Sequence, residues 1–254
     1  MEQQAYHDMA ALEDHHWWFK GKRRLIAPLL DAALENIDAP VVVDVGCGTG
    51  SNLTLVHERF PNARQVGVDL DSSALGYCVQ RGESASLVQA SGLSLPLASE
   101  SVDCIVALDF IEHVEDDRAL TREFARVLKP GGSIVASVPA YPGLWSPHDA
   151  FMHHKRRYKS GELEARLTEA GLRVDRRHGF NFVLLPAIAL VRSFKRKSKE
   201  NTPEGSTDFF ELPGPLDAIL HAAMAGVFWF ESLAVRCLPI RFGVSLMLKA
   251  HRPR

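Results

Sequence analysis

The run Val41 to Val45, followed at once by Gly46-Cys47-Gly48-Thr49-Gly50, constrains this 254-residue chain more than any other segment. A continuous β-branched stretch marks a strand covered on both faces, as in a parallel sheet. Glycines directly after it let the backbone turn sharply and approach a ligand, and the helix expected over 52–60 would aim its free N–H groups at that ligand. Further strands are expected at 64–69, 86–89, 102–108 and 133–138, separated by helices at 72–81 and 119–128. Strands alternating with helices of about ten residues imply parallel βαβ units. Lys129-Pro130-Gly131-Gly132 reads as a tight turn from helix to strand.

Outside that core, Leu25, Leu29, Leu30, Ala33, Leu34 and Ile37 recur at helical period, with Pro28 near the first turn of that helix. Ser160 is expected to cap a helix carrying Leu163 and Leu167 and stopped by Gly171. The last strands are expected at 172–179 and 242–250. The fold class read from this pattern is α/β. It is a Rossmann-like, doubly wound, mostly parallel seven-stranded sheet with an antiparallel last strand, plus an apolar helical insertion. The chain reads as a single domain: an N-terminal helical cap at 1–39, a core at 40–180 and 241–254, and the insertion at 181–240.

A net charge of −2 gives no basic field to recruit nucleic acid, and none is expected as a partner. Cys47, Cys78, Cys104 and Cys237 show no zinc-type spacing. The polar, acidic start does not read as a signal peptide, and no uninterrupted apolar run approaches the roughly 20 residues that span a bilayer. The expected location is cytoplasmic or peripheral at the inner membrane. In the insertion, the apolar run 182–191 is followed by Arg192, Lys195, Arg196, Lys197 and Lys199, and a second apolar stretch holds Phe228, Trp229 and Phe230. Such a segment reads either as a helical cap on the core or as an interfacial helix with a cationic edge.

A strand, a glycine bend and a helix also occur in dinucleotide enzymes. Here, however, the spacing is G-x-G-x-G, and Asp44 precedes it, which would repel a pyrophosphate but suits an ammonium group. Asp69, ending the second strand, can accept two ribose hydroxyls. With VVVDVGCGTG, GVDL and LKPGG, residues 40–140 resemble the class I S-adenosylmethionine-dependent methyltransferases. The resemblance implies S-adenosylmethionine as cofactor, held by Asp44, Gly46, Cys47, Gly48, Asp69, Leu70, Ser91, Gly92 and Asp109. Ser91 stands where the family often has an acid facing the adenine amine. Leu95-Pro96-Leu97 and Ser101-Val102-Asp103 also match and read as structural.

His15-His16-Trp17-Trp18-Phe19 with Arg23-Arg24, and the loop Pro139-Ala140-Tyr141-Pro142 through Trp145-Ser146-Pro147-His148-Asp149 to His154-Lys155-Arg156-Arg157-Tyr158, are similar to a large bacterial subgroup of that family. Trp18 and Arg23 would close over the cofactor, the arginine toward its carboxylate; an aromatic staple on the first helix is the other reading. His148, His154 and His113 are the candidate catalytic residues, one histidine serving as base. Arg157 would bind an anionic part of the acceptor, beside Tyr141 and Tyr158. The alternative is that the loop residues brace a lid. Asp109, Glu112 and His113 resemble the E-x-x-E-H step of ubiquinone-pathway O-methyltransferases, whose acids and histidine bind a divalent metal. The reading preferred here is that Glu112 and His113 cap and orient the next helix, with no metal. The expected function is methyl transfer to a small or lipid-like acceptor at a hydroxyl, with peripheral membrane contact through 181–240. Two rivals stay open: a catalytically silent cofactor-binding protein docked on a membrane or partner, and a protein or RNA methyltransferase.

Overall fold

In the computed structural model, which describes residues 3–82, 84–198 and 215–254, the valine run forms strand β1 (Val41–Val45). It lies between β2 (Arg64–Asp69) and β4 (Val102–Leu108), parallel to both. β3 (Ser86–Gln89) extends the sheet beyond β2, and β5 (Leu128–Pro139) lies beyond β4, again in parallel. The closing pair is β6 (Arg173–Phe180) and β7 (Ser245–His251), and β7 runs antiparallel to both β5 and β6. The seven strands take the order β3-β2-β1-β4-β5-β7-β6.

Alternate residues along the strands feed two apolar layers, which is why the sheet is covered on both sides. Val43, Ile105 and Ala136 join Leu120 and Phe124 of α5 (Asp117–Val127) and Leu163 and Leu167 of α7 (Glu162–Glu169). On the other face, Val42, Val106 and Val135 join Leu25, Ile26 and Leu30 of α2 (Trp17–Leu34) and Val56 of α3 (Ser51–Arg59). α1 (Gln3–Leu12) precedes α2, and α4 (Ser72–Arg81) links β2 to β3.

Three expectations need correction. The tight turn at Lys129–Gly132 is absorbed into β5, which starts at Leu128 opposite Val102. Its kink sits at Gly131 (φ 84°), whose N–H donates to the Arg252 carbonyl at 2.8 Å. α2 begins at Trp17, so Pro28 lies inside the helix and not in its first turn. Ser160 does not cap α7: Gly161 holds the N-cap position at φ 81°, and the Ser160 hydroxyl accepts from Arg177 at 3.0 Å instead.

Between β6 and β7 the chain forms α8 (Leu185–Ser198) and α9 (Pro215–Cys237). α9 lies on α2: the Phe228 ring stacks on Trp17 at 5.5 Å between centroids and meets Phe180 at 5.1 Å. Gly21 of α2 permits this approach, because a Cβ there would fall 2.6 Å from Phe228 Cγ. Gly21→Val is therefore expected to destabilise the fold by about 1–3 kcal/mol through overpacking. A chemical-denaturation midpoint lowered without change of slope is the expected result.

Candidate active site

Where the strand order reverses, between β1 and β4, the loops leaving neighbouring strands diverge and open a crevice at the carboxyl edge of the sheet. A cleft of about 1280 Å³ lies there. Its floor is the glycine bend after β1. Gly46 adopts φ 74°, and a Cβ on it would stand 2.2 Å from Phe110 Cδ2, so only glycine lets the bend pass under the ring. Asp69 holds the bend from the side: its Oδ2 accepts from the Gly48 N–H and its Oδ1 from the Asp71 N–H, both at 3.0 Å. Each oxygen keeps acceptor capacity toward the cleft. Cys47, Leu70, Ser91 and Gly92 also line the cleft, and Ser91 Oγ accepts from the Leu93 N–H at 3.2 Å.

Asp44 lies just behind this floor. It is 1% exposed, is not part of the lining, and neither carboxylate oxygen has a hydrogen-bond partner among the described residues. Burial first, then the neighbouring Asp69, pushes its pKa up to about 7, with Lys22 and the nearby Asn52 side chain acting in the opposite sense. A buried carboxylate without a partner is costly unless a cation comes near.

α2 supplies the opposite wall through Trp18, Lys22 and Arg23. Lys22 Nζ pairs with Asp109 Oδ2 and lies 5.2 Å from the centre of the Trp18 ring. Burial works to raise the Asp109 pKa but is outweighed by Lys22 and by the Ser137 hydroxyl, which donates to Oδ1 at 2.7 Å. Arg23 reaches Asp14 at 3.4 Å. Glu13, just before, accepts from Thr49 Oγ1 at 2.5 Å and from Arg81 at 3.0 Å, which ties the α1–α2 junction to the glycine bend.

The other end of the cleft is built by the turn after β4 and the loop after β5. Ser146 begins the short helix α6 (Pro147–Phe151), and Asp149 Oδ2 accepts from the Ser146 N–H at 2.8 Å in a capping box. Asp149 Oδ1 faces His154 Nδ1 at 2.9 Å and accepts from Arg157 Nε at 2.8 Å. Burial favours the protonated acid, but these two partners outweigh it and hold Asp149 well below the usual carboxylate range. An ionised carboxylate can only accept, so the proton of neutral His154 is fixed on Nδ1 and its lone pair stays on Nε2.

His154 Nε2 lies 3.9 Å from Oε1 of Glu112, which is 0% exposed and has no hydrogen-bond partner on either oxygen among the described residues. Burial and then Asp109 push the Glu112 pKa well up. The His113 ring stands edge-on to His154 at 4.8 Å, and burial, then His154, lowers its pKa to about 4. His148 lines the same region, its ring 6.4 Å from that of His154. The ligand atoms of Glu112, His113 and His154 lie within 4.8 Å of one another, so this group could hold a divalent metal.

The cleft thus gathers His113, His148, His154 and Arg157, but not the two tyrosines expected to meet an acceptor. Tyr158 is fully buried, with its hydroxyl donating to Asp117 at 3.1 Å and its backbone bridged to Ala140. Tyr141 is half-buried against the core and lies outside the lining. Glu112 does not cap the next helix either: Asp116 does so, accepting from the Ala119 N–H at 2.8 Å. Lys22 and Asp149 are missed by sequence reasoning. For Asp149 a local signal exists, the Ser-x-x-Asp spacing of a capping box. Lys22 meets Asp109 across 87 residues, and no pattern announces that.

Comparison with known proteins gives a consistent picture. Residues 43–136 match the family model described as a methyltransferase domain. A probable S-adenosylmethionine-dependent methyltransferase of Mycobacterium tuberculosis is 29% identical over 228 residues, covering 88% of this chain and 73% of that protein. Trans-aconitate 2-methyltransferase of Azoarcus is 33% identical over 152 residues, 60% of this chain and 57% of that one. Among solved structures, a chain of the complex between the Haloferax volcanii Trm112 methyltransferase activator and a methyltransferase superposes with a TM-score of 0.63. It is 20% identical, and the match covers 99% of this chain and 94% of that chain, which shows a shared fold.

Asp149 and Arg157 are both buried and paired. Removing one partner strands the other's charge, so Asp149→Ala is expected to cost on the order of 3–5 kcal/mol, read as a lowered urea midpoint. Replacing both with apolar residues of similar volume should recover most of that loss.

Proposed function

The chain belongs to the class I S-adenosylmethionine-dependent methyltransferases, and from that premise we propose that it methylates a hydroxyl oxygen of a small or lipid-like acceptor, with His154 as the base. The observation that carries the reading is the Asp149–His154 pair at 2.9 Å through Nδ1, with His154 in the lining of the same cleft as the glycine bend.

The cofactor half fits the residues present. Asp69 has acceptor capacity for two ribose hydroxyls, and exposed Leu70 offers an apolar face beside Ser91 and Gly92 for the adenine. The buried carboxylate of Asp44, with Asp109 beyond it, suits a cationic amino-acid moiety, and Arg23 and Lys22 suit its carboxylate. Bound there, S-adenosylmethionine supplies a methyl group already activated on a sulfonium. The protein's own task is therefore alignment, exclusion of water and removal of one proton.

His154 Nε2 takes the hydroxyl proton of the acceptor. Asp149 fixes the ring and stabilises the resulting imidazolium. His113, kept neutral by its lowered pKa, and His148 provide further polar contacts around the acceptor. Arg157 spends Nε on Asp149 and Nη1 on the Ala140 carbonyl, and its remaining donors suit a phosphate or carboxylate on the acceptor. Leu184, Ala187, Ile188 and Val191 of the α8 region and Leu220 and Met224 of α9 give the same cleft an apolar side, which supports a lipid-like body behind a polar head. A cytoplasmic enzyme peripheral to the inner membrane would meet such an acceptor. A catalytically silent binding protein would have no use for a buried His–Asp pair beside its cofactor. Nucleic acid as acceptor is disfavoured by the net charge of −2.

Incubating the protein with methyl-labelled cofactor and cell extract should place the label in the small-molecule or lipid fraction; label confined to protein or RNA would refute the acceptor class. His154→Ala and Asp149→Asn are each expected to lower turnover about 100-fold while cofactor affinity is kept. The effect of His148→Ala should be smaller. The pair needs no metal, so transfer should survive exhaustive chelation; dependence on a divalent ion would turn His154 from base into ligand.

Asp44 adds a pH signature. Its folded pKa is raised to about 7, so its contribution to stability is lost as pH rises through that value in the cofactor-free protein. A cation bound nearby offsets that loss. The thermal stabilisation given by the cofactor should therefore grow between about pH 5.5 and 7.5, and Asp44→Asn should flatten the trend.

A further inference from the structure

We infer that α9 lies in the surface of an anionic lipid bilayer, with the acceptor end of the cleft opening toward the lipid between α8 and α9. The most apolar 18-residue window of Leu216–Cys237 has a mean hydropathy of 1.6, yet only 17% of it is buried. A helix on a water-facing surface shows the reverse arrangement, polar residues outside and apolar ones inside. Here the outward stripe runs Leu216, Ile219, Gly226, Trp229, Phe230 and Leu233, and Ile219, Trp229 and Phe230 are 65%, 57% and 55% exposed. The two acids of the helix leave this stripe uncharged. Asp217 pairs with His221 one turn on, at 3.6 Å, and Glu231 is buried, accepting from the Asn181 and Val183 N–H groups at 2.7 and 2.8 Å.

The inner face fixes the helix along the protein and not across a bilayer. Phe228 and Glu231 are fully buried against α2 and the start of the insertion, so the helix cannot leave to span a membrane without stranding that carboxylate. From Leu216 to Leu233 the stripe is roughly 26 Å long at 1.5 Å per residue, enough for an interfacial helix.

Charge selects the occupant. The stripe ends at Arg236, Arg241 lies just beyond it beside exposed Phe242, and both arginines are exposed. An apolar face edged by cations matches an acyl layer under anionic headgroups. The cleft reaches the same surface: Val191 is both 52% exposed and part of its lining, and Leu220 and Met224 line it one step round α9 from the stripe. An acceptor with an apolar body could then reach His154 without crossing water. That last step rests on the methyltransferase reading, whereas the docking itself rests on the helix face alone.

The test is flotation of the whole protein with vesicles of equal parts phosphatidylcholine and phosphatidylglycerol, with vesicles of phosphatidylcholine alone as control. The native protein should float with the anionic vesicles, less so as salt rises. The double variant Trp229→Ser/Phe230→Ser should lose at least about tenfold in vesicle affinity. Val79→Ser, at an exposed apolar site on α4, should lose none. Absence of native binding, or equal binding by the double variant, would overturn the inference. So would a stable dimer, seen by sedimentation, that the double variant dissolves while vesicles are ignored. Cofactor titration on the same samples separates the two readings: failure to bind S-adenosylmethionine would remove the methyltransferase reading and leave the vesicle result standing.

Discussion

Negative charge gathered at the carboxyl edge of the sheet governs the rest of this structure. Asp44, Asp69, Asp109 and Glu112 converge around one cleft, and Lys22 faces them from α2. Asp69 spends its charge on the Gly48 and Asp71 amides and Asp109 on Lys22, but Asp44 and Glu112 have no such partner among the described residues. Burial first, and then a neighbouring carboxylate, pushes the pKa of each upward. A buried carboxylate such as Asp44 is stabilised by a cation brought near it, and Glu112 at the other end lies 3.9 Å from His154 Nε2.

The acceptor half depends on a loop that would otherwise be floppy. Tyr158 pins its far end, with its N–H donating to the Pro139 carbonyl at 2.8 Å and its own carbonyl accepting from the Tyr141 N–H at 2.9 Å. Asp149 ties the middle together, drawing in Ser146, His154 and Arg157. The buried tyrosine therefore serves the site by position and not by touching a ligand. Preorganisation of this kind matters most for a reaction whose donor is already activated, because alignment is then most of what remains to be supplied.

Much of the sheet was legible because its signals are local. The valine run, the glycine bend and the helix period each sit within about ten residues, and strands β1 to β4 fall where the pattern puts them. Where two local signals competed, tertiary pairing decided. LKPGG looks like a turn, yet Leu128 finds Val102 and the glycines bend inside a strand. Ser160 looks like a cap, yet Arg177 claims its hydroxyl and Gly161 takes the left-handed position. The floor of the cleft was readable from Asp44 to Asp69, since both acids lie at strand ends. The histidine paired with a carboxylate was not: which of His113, His148 and His154 has one behind it depends on how the loop after β5 folds back, and the sequence spacing is silent on that.

α9 shows why hydropathy alone left two readings of the insertion open. A helix buried in a core and a helix lying in lipid have the same composition, and only the distribution of exposure around the axis separates them. Here Phe228 and Glu231 face inward while Trp229 and Phe230 face outward, so neighbouring residues divide between protein and surroundings. The inward set attaches the helix, through the close approach at Gly21 and the two amides on Glu231. The outward set adds nothing to that attachment. Large apolar side chains kept in water at such positions carry a solubility cost, and a partner that removes them from water accounts for their presence better than the fold does.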